Sequence, residues 1–234
     1  MRRKGLKALR AAFPHTLPVL AGYMFLGIAF GVFMRAEGFP FWMPVLLSAA
    51  VYGGSLQFVA VSVLSAPFAP VQTLLLTLMV QARHLFYGVA MLEKYRGMGA
   101  KKPYLIFALT DETFSINCAA EPPEDVDRGL FMLFISLLDQ LYWIGGTAVG
   151  AALGRNLPFN TQGIDFAMTA LFVVIFLEHW IKDARHLGAL IGLAVSAVCL
   201  LLFSAENFLL PAMAGILAML TVCRKPIERA GEAV

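Results

Sequence analysis

Long apolar stretches, broken only by short charged or proline-containing ones, make up most of the chain. The first runs from about Pro14 to Met34. No charged residue lies between Glu37 and Arg83, and the 45 positions between them would form a helix of about 67 Å. A hydrocarbon core is only about 30 Å thick, so this stretch must turn. Pro67 and Pro70 predict the position of the turn.

The apolar pattern predicts about eight membrane segments, because one span takes roughly 20 residues. Their approximate bounds are residues 14–34, 41–66, 71–92, 103–120, 129–153, 166–181, 187–203 and 208–222. We therefore predict an all-α, polytopic integral membrane protein with a single transmembrane domain at residues 13–223. Residues 1–12 are predicted to be a basic cytoplasmic tail, and residues 224–234 a cytoplasmic C-terminal tail.

Composition supports a lipid environment, since 59% of the residues are hydrophobic, 14% are charged and the mean hydropathy is +0.76. A water-soluble domain of this size could not bury that much apolar surface. The net charge of +3 lies largely in the tails and one loop, so no nucleic-acid binding is predicted. The spacing of the cysteines and histidines predicts neither a disulfide framework nor a metal site. No catalytic or nucleotide-binding motif is present, so we predict no enzyme activity and no cofactor.

Positive charges near the segment ends predict the orientation, because they concentrate on the cytoplasmic side. The basic N-terminal tail is therefore placed inside, and eight full crossings also place the C-terminal basic cluster inside. The basic loop Glu93–Lys102 then falls on the wrong side. This conflict disappears if segments three and four are broken or re-entrant and return to the cytoplasmic side. In either case, both termini are predicted to lie on the cytoplasmic side of the bacterial inner membrane.

Ionisable side chains inside apolar segments are the first candidates for function, since each costs about 2.5 to 3.5 kcal/mol at membrane depth. They are Arg83, His84, Asp111, Glu112, Asp139, and Glu178 with His179, of which Glu178 is better explained by a helix pair with Lys182. Asp111 and Glu112 point about 100° apart on a helix, so we expect the segment to be broken or fully enclosed there. A carboxylate at this depth could bind an ammonium group or carry a proton. The alternative is a structural ion pair with Arg83 that holds two segments together.

The second candidate feature is the stretch Tyr52–Gln57 in the middle of segment two. Gly53 and Gly54 weaken a helix and free backbone groups, which transporters use to hold charged ligands. Ser55 and Gln57 add side-chain hydrogen-bonding groups at the same depth. Close helix packing is the alternative explanation for the glycines.

A possible internal repeat is indicated by residues that recur at an offset of 119 positions. In segments one and five, the aligned sets are Tyr23, Gly27, Ala29, Gly31 and Tyr142, Gly146, Ala148, Gly150. Duplicated halves are common in transporters, while chance similarity between glycine-rich helices is the alternative. The small residues of segment one also predict close packing against another helix.

Five short stretches occur in an order that matches a known family. They are the glycine-rich first segment, GGSLQF at Gly53–Phe58, ARHLFYG at Ala82–Gly88, TDETF at Thr110–Phe114 and YWIGGTAVGAALG at Tyr142–Gly154. Together they resemble the AzlC-type branched-chain amino acid permease family, over about Phe13 to Trp180. Leu56 departs from the smaller residue that is more usual in this family, which bears on the shape of the pocket.

The resemblance implies a secondary transporter that exports leucine, isoleucine, valine and sometimes methionine, together with a small AzlD-type membrane subunit and coupled to protons. With the residue pattern, it gives the candidate substrate-binding residues Gly53, Gly54, Ser55, Gln57, Arg83, His84, Asp111 and Glu112. The proton-coupling candidates are Asp111, Glu112 and Asp139.

A division of labour follows as a hypothesis. Backbone at Gly53–Ser55 and the cation of Arg83 would hold the substrate carboxylate, while Asp111 or Glu112 would hold its ammonium group. Apolar side chains such as Phe58 and Phe86 would contact the aliphatic tail. The alternatives are a permease for another small solute, a membrane-embedded enzyme that pairs His84 with Asp111, and a scaffold subunit whose charges pair with a partner.

Overall fold

The computed structural model describes residues 2–67, 69–154, 186–203 and 208–223, with isolated helical positions at 173, 176–177 and 180–181. The chain divides into two compact units, Met1–Met168 and Thr169–Val234. Every regular element in these described ranges is a helix, which confirms the predicted all-α class. Most of predicted segment six and all of the predicted C-terminal tail lie outside the described residues.

The first unit consists of a series of helices joined by short connections. They are α1 (Arg2–Ala36), α2 (Trp42–Ala50), α3 (Ser55–Ser65), α4 (Pro70–Ala90), α5 (Lys102–Phe107), α6 (Asp111–Ala119) and α7 (Arg128–Leu153), with a 3₁₀ turn at Gly99–Lys101. The second unit contains α8 (Leu187–Leu202) and α9 (Leu209–Val222). Of the described helices, two are long and apolar enough to cross a membrane, Lys4–Ala36 and Arg128–Leu153. The count of eight segments therefore stays a prediction.

Helices α1 and α7 form a close parallel pair. Glycines on each helix face backbone atoms of the other: Gly27 and Gly31 face Trp143, Thr147 and Ala151, while Gly146 and Gly150 face Met24 and Ile28. The residue numbers of the contacting residues increase together along α1 and α7, so the two helices run in the same direction. These are the glycines of the 119-residue offset, and they serve the close packing predicted for segment one.

Predicted segment two is broken between α2 and α3. Tyr52 and Gly54 have φ angles of 44° and 48°, which a helix cannot accommodate and which glycine adopts most readily. At this break, Gln140 of α7 donates to the carbonyl of Ala49 at 3.0 Å. Hairpin one, defined as residues 42–65, therefore reaches about half-way along α7.

Hairpin one begins and ends at the C-terminal end of the α1–α7 pair. Its first helix follows directly from the end of α1. On the returning helix, Phe58 stacks on Phe33, with ring centroids 6.3 Å apart, near the end of α1. After the hairpin, the turn at Pro67 and Pro70 joins α3 to α4, as predicted, since α3 ends at Ser65 and α4 starts at Pro70.

Predicted segment four is also broken, into α5 and α6, and forms hairpin two (residues 102–119). Thr110 caps α6 by accepting a hydrogen bond from the backbone N–H of Thr113. Leu105 packs in one cluster with Ala12 and Phe131, close to where α1 and α7 begin. Hairpin two therefore enters from the end opposite to hairpin one, and the rings of Tyr52 and Phe107 meet at the two tips, 6.4 Å apart.

Ion pairs show which loops share the N-terminal end of the α1–α7 pair. Three pairs join different loops, Lys7–Asp125 at 2.6 Å, Lys94–Glu121 at 3.3 Å and Lys101–Asp127 at 3.2 Å, and Arg128 also lies 4.0 Å from Glu121. The loop Glu93–Lys102 thus lies beside the N-terminal tail, where the positive-inside rule requires it. This removes the conflict that eight full crossings create.

The sequence left open whether segments three and four are broken or cross the membrane fully. Segment three is the continuous helix α4 of 21 residues, and the second broken element is segment two. The physical reason is the position of the glycines: Gly53 and Gly54 interrupt segment two at its middle, whereas Gly88 lies near the end of α4.

The first helix also differs from its predicted bounds. It begins at Arg2 instead of about Pro14, so the predicted tail at residues 1–12 continues the helix. Ala8 and Ala12 are fully buried, and this packing extends the helix on the N-terminal side of the internal prolines Pro14 and Pro18.

Candidate functional site

Arg83 of α4 links the broken ends of the two hairpins. Its Nη2 lies 3.1 Å from Asp111 Oδ2 and donates a hydrogen bond to Ser55 Oγ at 3.3 Å. Ser55 is the first residue of α3, and Asp111 is the first residue of α6. The ion pair between Arg83 and Asp111, which the sequence analysis gave as the structural alternative, is present, and it lies where two helix N-termini meet.

Helix N-termini carry unpaired backbone N–H groups and a partial positive charge. The two N-termini and the guanidinium group of Arg83 together favour the binding of an anion. The carboxylate of Asp111 can attract a cation beside it. The side chains of Arg83 and Asp111 keep 35% and 20% of their surface exposed, so the pair is accessible to a small molecule.

Several buried polar atoms in this region have no hydrogen-bond partner among the described residues. They are Gln81 Oε1, Arg83 Nε, His84 Nδ1 and Asp111 Oδ1. Buried polar atoms are normally paired, so such a concentration requires an explanation. These atoms comprise both donors and acceptors, which is what recognition of an ammonium group and a carboxylate on one molecule requires.

Gln81, which the sequence analysis did not select, holds the tip of hairpin one. Its Nε2 donates to the carbonyl of Gly53 at 3.3 Å. A Cβ at Gly53 would collide with this amide nitrogen, so a larger residue there would displace it. Gly53 thus leaves room for the Gln81 amide, and Gly54 adopts the positive φ angle that favours glycine.

Asp111 and Glu112 point to different neighbours, as their spacing predicts. Asp111 faces Arg83 of α4, whereas Glu112 Oε2 accepts a hydrogen bond from the Tyr23 hydroxyl of α1 at 2.6 Å. The segment is both broken before Asp111 and enclosed on two sides. This confirms the expected geometry and separates the two carboxylates into different environments.

Asp139 lies in a third environment, on α7. It is fully buried, and its Oδ2 accepts a hydrogen bond from the Thr113 hydroxyl at 2.7 Å. Its Oδ1 has no partner in the described part of the chain. One turn earlier on α7, Ser136 accepts a hydrogen bond from Asn117, which also bonds to Tyr95. A second group of buried polar side chains therefore lies one turn closer to the N-terminal end of the α1–α7 pair.

Gln57 is fully buried and its amide already has protein partners. Its Nε2 donates to Ser48 Oγ at 3.0 Å, and its Oε1 accepts from Trp143 Nε1 at 2.8 Å. Ser48 in turn lies 2.8 Å from the hydroxyl of Thr147. These bonds join both arms of hairpin one to α7, so we interpret Gln57 as a positioning residue.

The aromatic residues predicted to hold an aliphatic tail lie elsewhere. Phe58 is 3% exposed and packs against Phe30 of α1, while Phe86 is 58% exposed. A different pair lies one turn beyond the ion pair on both helices. Tyr87 stacks on Phe114, with centroids 4.5 Å apart and planes at 13°, and forms an apolar wall next to Arg83 and Asp111.

The acidic turn outside the apolar segments shows the electrostatics of the N-terminal end. The pKa of Asp127 is lowered mainly because its carboxylate accepts a hydrogen bond from the backbone N–H of Leu130 at 2.7 Å. Lys101 lowers this pKa further. Asp127 thereby caps α7. The pKa of Asp125 is lowered by the hydrogen bond and charge of Lys7.

Sequence reasoning missed Tyr23, Thr110 and Thr113 as functional candidates. Two signals were present: Thr110 and Thr113 belong to the TDETF stretch, and Tyr23 belongs to the repeated set. Their hydroxyl groups lie between Glu112 and Asp139 because hairpin two brings α6 between α1 and α7.

Helices broken half-way, with N-termini that converge on a cation and a carboxylate, are the architecture with which secondary transporters build their binding sites. The chain belongs to the AzlC protein family, which matches residues 18–157 and so includes every candidate site residue.

Individual relatives align with most of the chain. The chain is 53% identical over 223 residues to the branched-chain amino acid transport protein AzlC of Bacillus subtilis, covering 95% of the chain and 88% of the relative. It is 47% identical over 217 residues to a membrane protein of Haemophilus influenzae, covering 92% and 89%. It is 26% identical over 196 residues to the inner membrane protein YgaZ of Escherichia coli, covering 78% and 80%. No solved structure matches the chain significantly.

Proposed function

We propose that this protein is a secondary transporter that exports leucine, isoleucine, valine and methionine across the bacterial inner membrane, coupled to protons. The proposal includes a small AzlD-type membrane subunit as partner. The observation that carries it is the ion pair of Arg83 and Asp111 between the N-termini of α3 and α6. The 53% identity to a branched-chain amino acid transport protein supports the substrate class.

The polar part of the site suits the zwitterionic head of an α-amino acid. Its carboxylate would bind Arg83 and the backbone N–H groups at Gly54 and Ser55, where the α3 N-terminus adds a favourable field. Its ammonium group would bind Asp111, which offers the unpaired Oδ1. In the ligand-free ion pair, Arg83 and Asp111 neutralise each other, so the substrate replaces each partner with an equivalent charge.

The apolar part of the site is proposed to be the stacked rings of Tyr87 and Phe114. They lie one helical turn from Arg83 and Asp111, respectively, which places an apolar wall beside the charged groups. A branched aliphatic side chain would bury its surface there at about 25 cal/mol per Å². Polar amino acids would gain less from the same contact, which favours leucine over serine.

The proposed membrane placement follows from the two hairpins. α1, α4 and α7 have the lengths of full spans, with 35, 21 and 26 residues. Hairpins one and two would be re-entrant from opposite sides, with their tips at mid-depth, where broken backbone is tolerated because it lines a site. The N-terminal end of the α1–α7 pair, with its lysines, would face the cytoplasm.

Leucine transport into proteoliposomes tests the proposal. The chain is reconstituted with and without the proposed small subunit, and radiolabelled leucine is followed under a pH gradient. We expect Arg83→Ala and Asp111→Asn each to lower the rate by about thirtyfold or more, because each removes one partner of a charge pair that bound leucine would bury, and such a loss costs about 2 kcal/mol or more. If both variants transport leucine at the wild-type rate, the site lies elsewhere.

Two control variants distinguish an effect on the binding site from a general effect of removing a charge. Arg96 and Glu124 are exposed residues of the loops, so Arg96→Ala and Glu124→Gln remove the same charges from the surface. Both controls should transport leucine at the wild-type rate. Equal losses in the controls and the site variants would contradict a specific role for Arg83 and Asp111.

A further inference from the structure

A hydrogen-bonded series of three hydroxyl groups connects two carboxyl groups inside the first unit. Tyr23 donates to Glu112 Oε2 at 2.6 Å, and Thr113 donates to Asp139 Oδ2 at 2.7 Å. Between them, Thr110 Oγ1 lies 2.7 Å from the Tyr23 oxygen and 3.0 Å from the Thr113 oxygen. We call this series of five groups the hydroxyl chain.

Counting protons shows that the hydroxyl chain is one proton short if both carboxyl groups are ionised. Each hydroxyl group has a single proton to donate. Tyr23 uses its proton on Glu112, Thr113 uses its proton on Asp139, and Thr110 can donate to only one of its two neighbours. One pair of hydroxyl oxygens at hydrogen-bond distance would then have no proton between them, which is repulsive.

One additional proton on either carboxyl group completes every link. If Glu112 is protonated, it donates to Tyr23, and each hydroxyl group then donates to the next as far as Asp139. If Asp139 is protonated, all of the hydrogen bonds reverse. The two arrangements have the same number of hydrogen bonds, so the hydroxyl chain can hold the additional proton at either end.

We propose that Glu112 and Asp139 share a single proton and that the hydroxyl groups of Tyr23, Thr110 and Thr113 relay it between them. This inference deepens the proposed function, because it assigns proton coupling to named groups next to the amino-acid site. The relay residues are positioning and proton-transfer groups, and they do not bind the substrate.

The relay step is balanced. The proton of Glu112 passes to Tyr23, and the Tyr23 proton passes to Thr110. The Thr110 proton passes to Thr113, and the Thr113 proton passes to Asp139. The starting carboxylic acid becomes a carboxylate, the starting carboxylate becomes an acid, and the three hydroxyl groups are regenerated. No other reactant is required.

The surroundings of the hydroxyl chain favour this role. Thr113 and Asp139 are fully buried, so a proton at this end does not exchange directly with solvent. Glu112 adjoins Asp111, so binding of a substrate ammonium group at Asp111 changes the charge next to one end of the relay. The titratable and charged groups around the two carboxyl groups are Tyr52 at the tip of hairpin one, Arg83 and Tyr87 on α4, Tyr104 on α5 and Asp111 on α6.

Proton-driven leucine accumulation, compared with leucine exchange, tests the relay. Exchange of internal for external leucine needs no net proton movement, whereas accumulation under a pH gradient does. We expect Thr113→Val and Tyr23→Phe to lower accumulation by about tenfold or more while exchange stays within about twofold of the wild-type rate. Thr113→Ser should restore accumulation, because serine keeps the hydroxyl group.

Thr16→Val is the matched control. Thr16 is a fully buried hydroxyl residue of α1 that bonds to Tyr142 and to the carbonyl of Phe13, outside the hydroxyl chain. It should accumulate leucine like the wild type. Wild-type accumulation by Thr113→Val, or a requirement for sodium in place of the pH gradient, would overturn the relay.

A spectroscopic measurement tests the relay independently of the proposed transport of leucine. Infrared difference spectra during a pH titration should show one buried protonated carboxyl group in the wild type, whose band shifts in both Glu112→Gln and Asp139→Asn. If the wild type neither exchanges nor accumulates leucine but this band is present, the amino-acid proposal fails and the relay stands. If no such band appears, the shared proton is refuted whatever the protein transports.

Discussion

Replacing Gly150 by alanine tests the contact on which both hairpins depend. A Cβ at Gly150 would lie 2.7 Å from the carbonyl carbon of Ile28, where ordinary contact begins at 3.4 Å. The helices α1 and α7 must therefore separate, and such overpacking costs about 1 to 3 kcal/mol. The higher helix propensity of alanine offsets up to about 1 kcal/mol of this cost.

Gly145 provides a matched control five residues earlier on the same helix. Among the described residues, no atom beyond its local helix lies within 4 Å of a Cβ built there. Gly145→Ala should therefore be neutral or stabilising by up to about 1 kcal/mol. Unfolding of both variants in mixed micelles, followed by tryptophan fluorescence, measures the difference, which we expect to be about 1 to 3 kcal/mol. Equal stability of the two variants would refute the close approach of α1 and α7.

Two further substitutions test single contacts. Gln57→Leu should destabilise the protein by about 1 to 3 kcal/mol, because it leaves Trp143 Nε1 without its acceptor. In a double-mutant cycle of unfolding free energies, adding Trp143→Phe should recover part of this loss. Strictly additive losses would exclude the hydrogen bond. Asp127→Ala should cost about 1 kcal/mol near neutral pH, because the N-cap of α7 is lost. The folded-state pKa of Asp127 is lowered. Its contribution to stability is therefore present above the unfolded pKa of about 3.9, and it disappears as the pH falls through the folded pKa. A loss of stability in Asp127→Ala that persists in acid would contradict this.

Much of the helix layout could be predicted from the sequence, because apolar length and prolines act locally. The turn at Pro67 and Pro70 was confirmed, and α7 lies within one residue of its predicted start. The break before Asp111 could also be inferred, because two adjacent carboxylates cannot both avoid lipid on an unbroken exposed helix.

The charge of the loop Glu93–Lys102 left open which of the neighbouring segments are broken. That charge shows on which side a loop lies, and it does not show which of the preceding segments turns back. Gly53 and Gly54 gave the local signal for segment two. The early start of α1 depends on burial of Ala8 and Ala12, a tertiary contact that local sequence does not contain.

At the candidate site, sequence reasoning selected the charged residues and the stretch Gly53–Ser55, and it missed three hydroxyl residues, Tyr23, Thr110 and Thr113. Arg83 and Asp111 stand out because an isolated charge is expensive in an apolar segment. A threonine or tyrosine hydroxyl carries no such penalty, so Thr113 and Tyr23 gave no comparable signal. Only the packing of hairpin two against α1 and α7 reveals that these hydroxyl groups lie between two carboxyl groups.

Binding of leucine to the purified protein tests the central claim most directly. A ligand at about one hundred times its Kd stabilises the folded state by about 2.7 kcal/mol, which thermal unfolding with and without leucine can measure. We expect this stabilisation in the wild type and in Arg96→Ala, and its loss in Arg83→Ala and Asp111→Asn. Equal stabilisation by leucine in the wild type and in both site variants would contradict a binding site at the meeting point of the two hairpins.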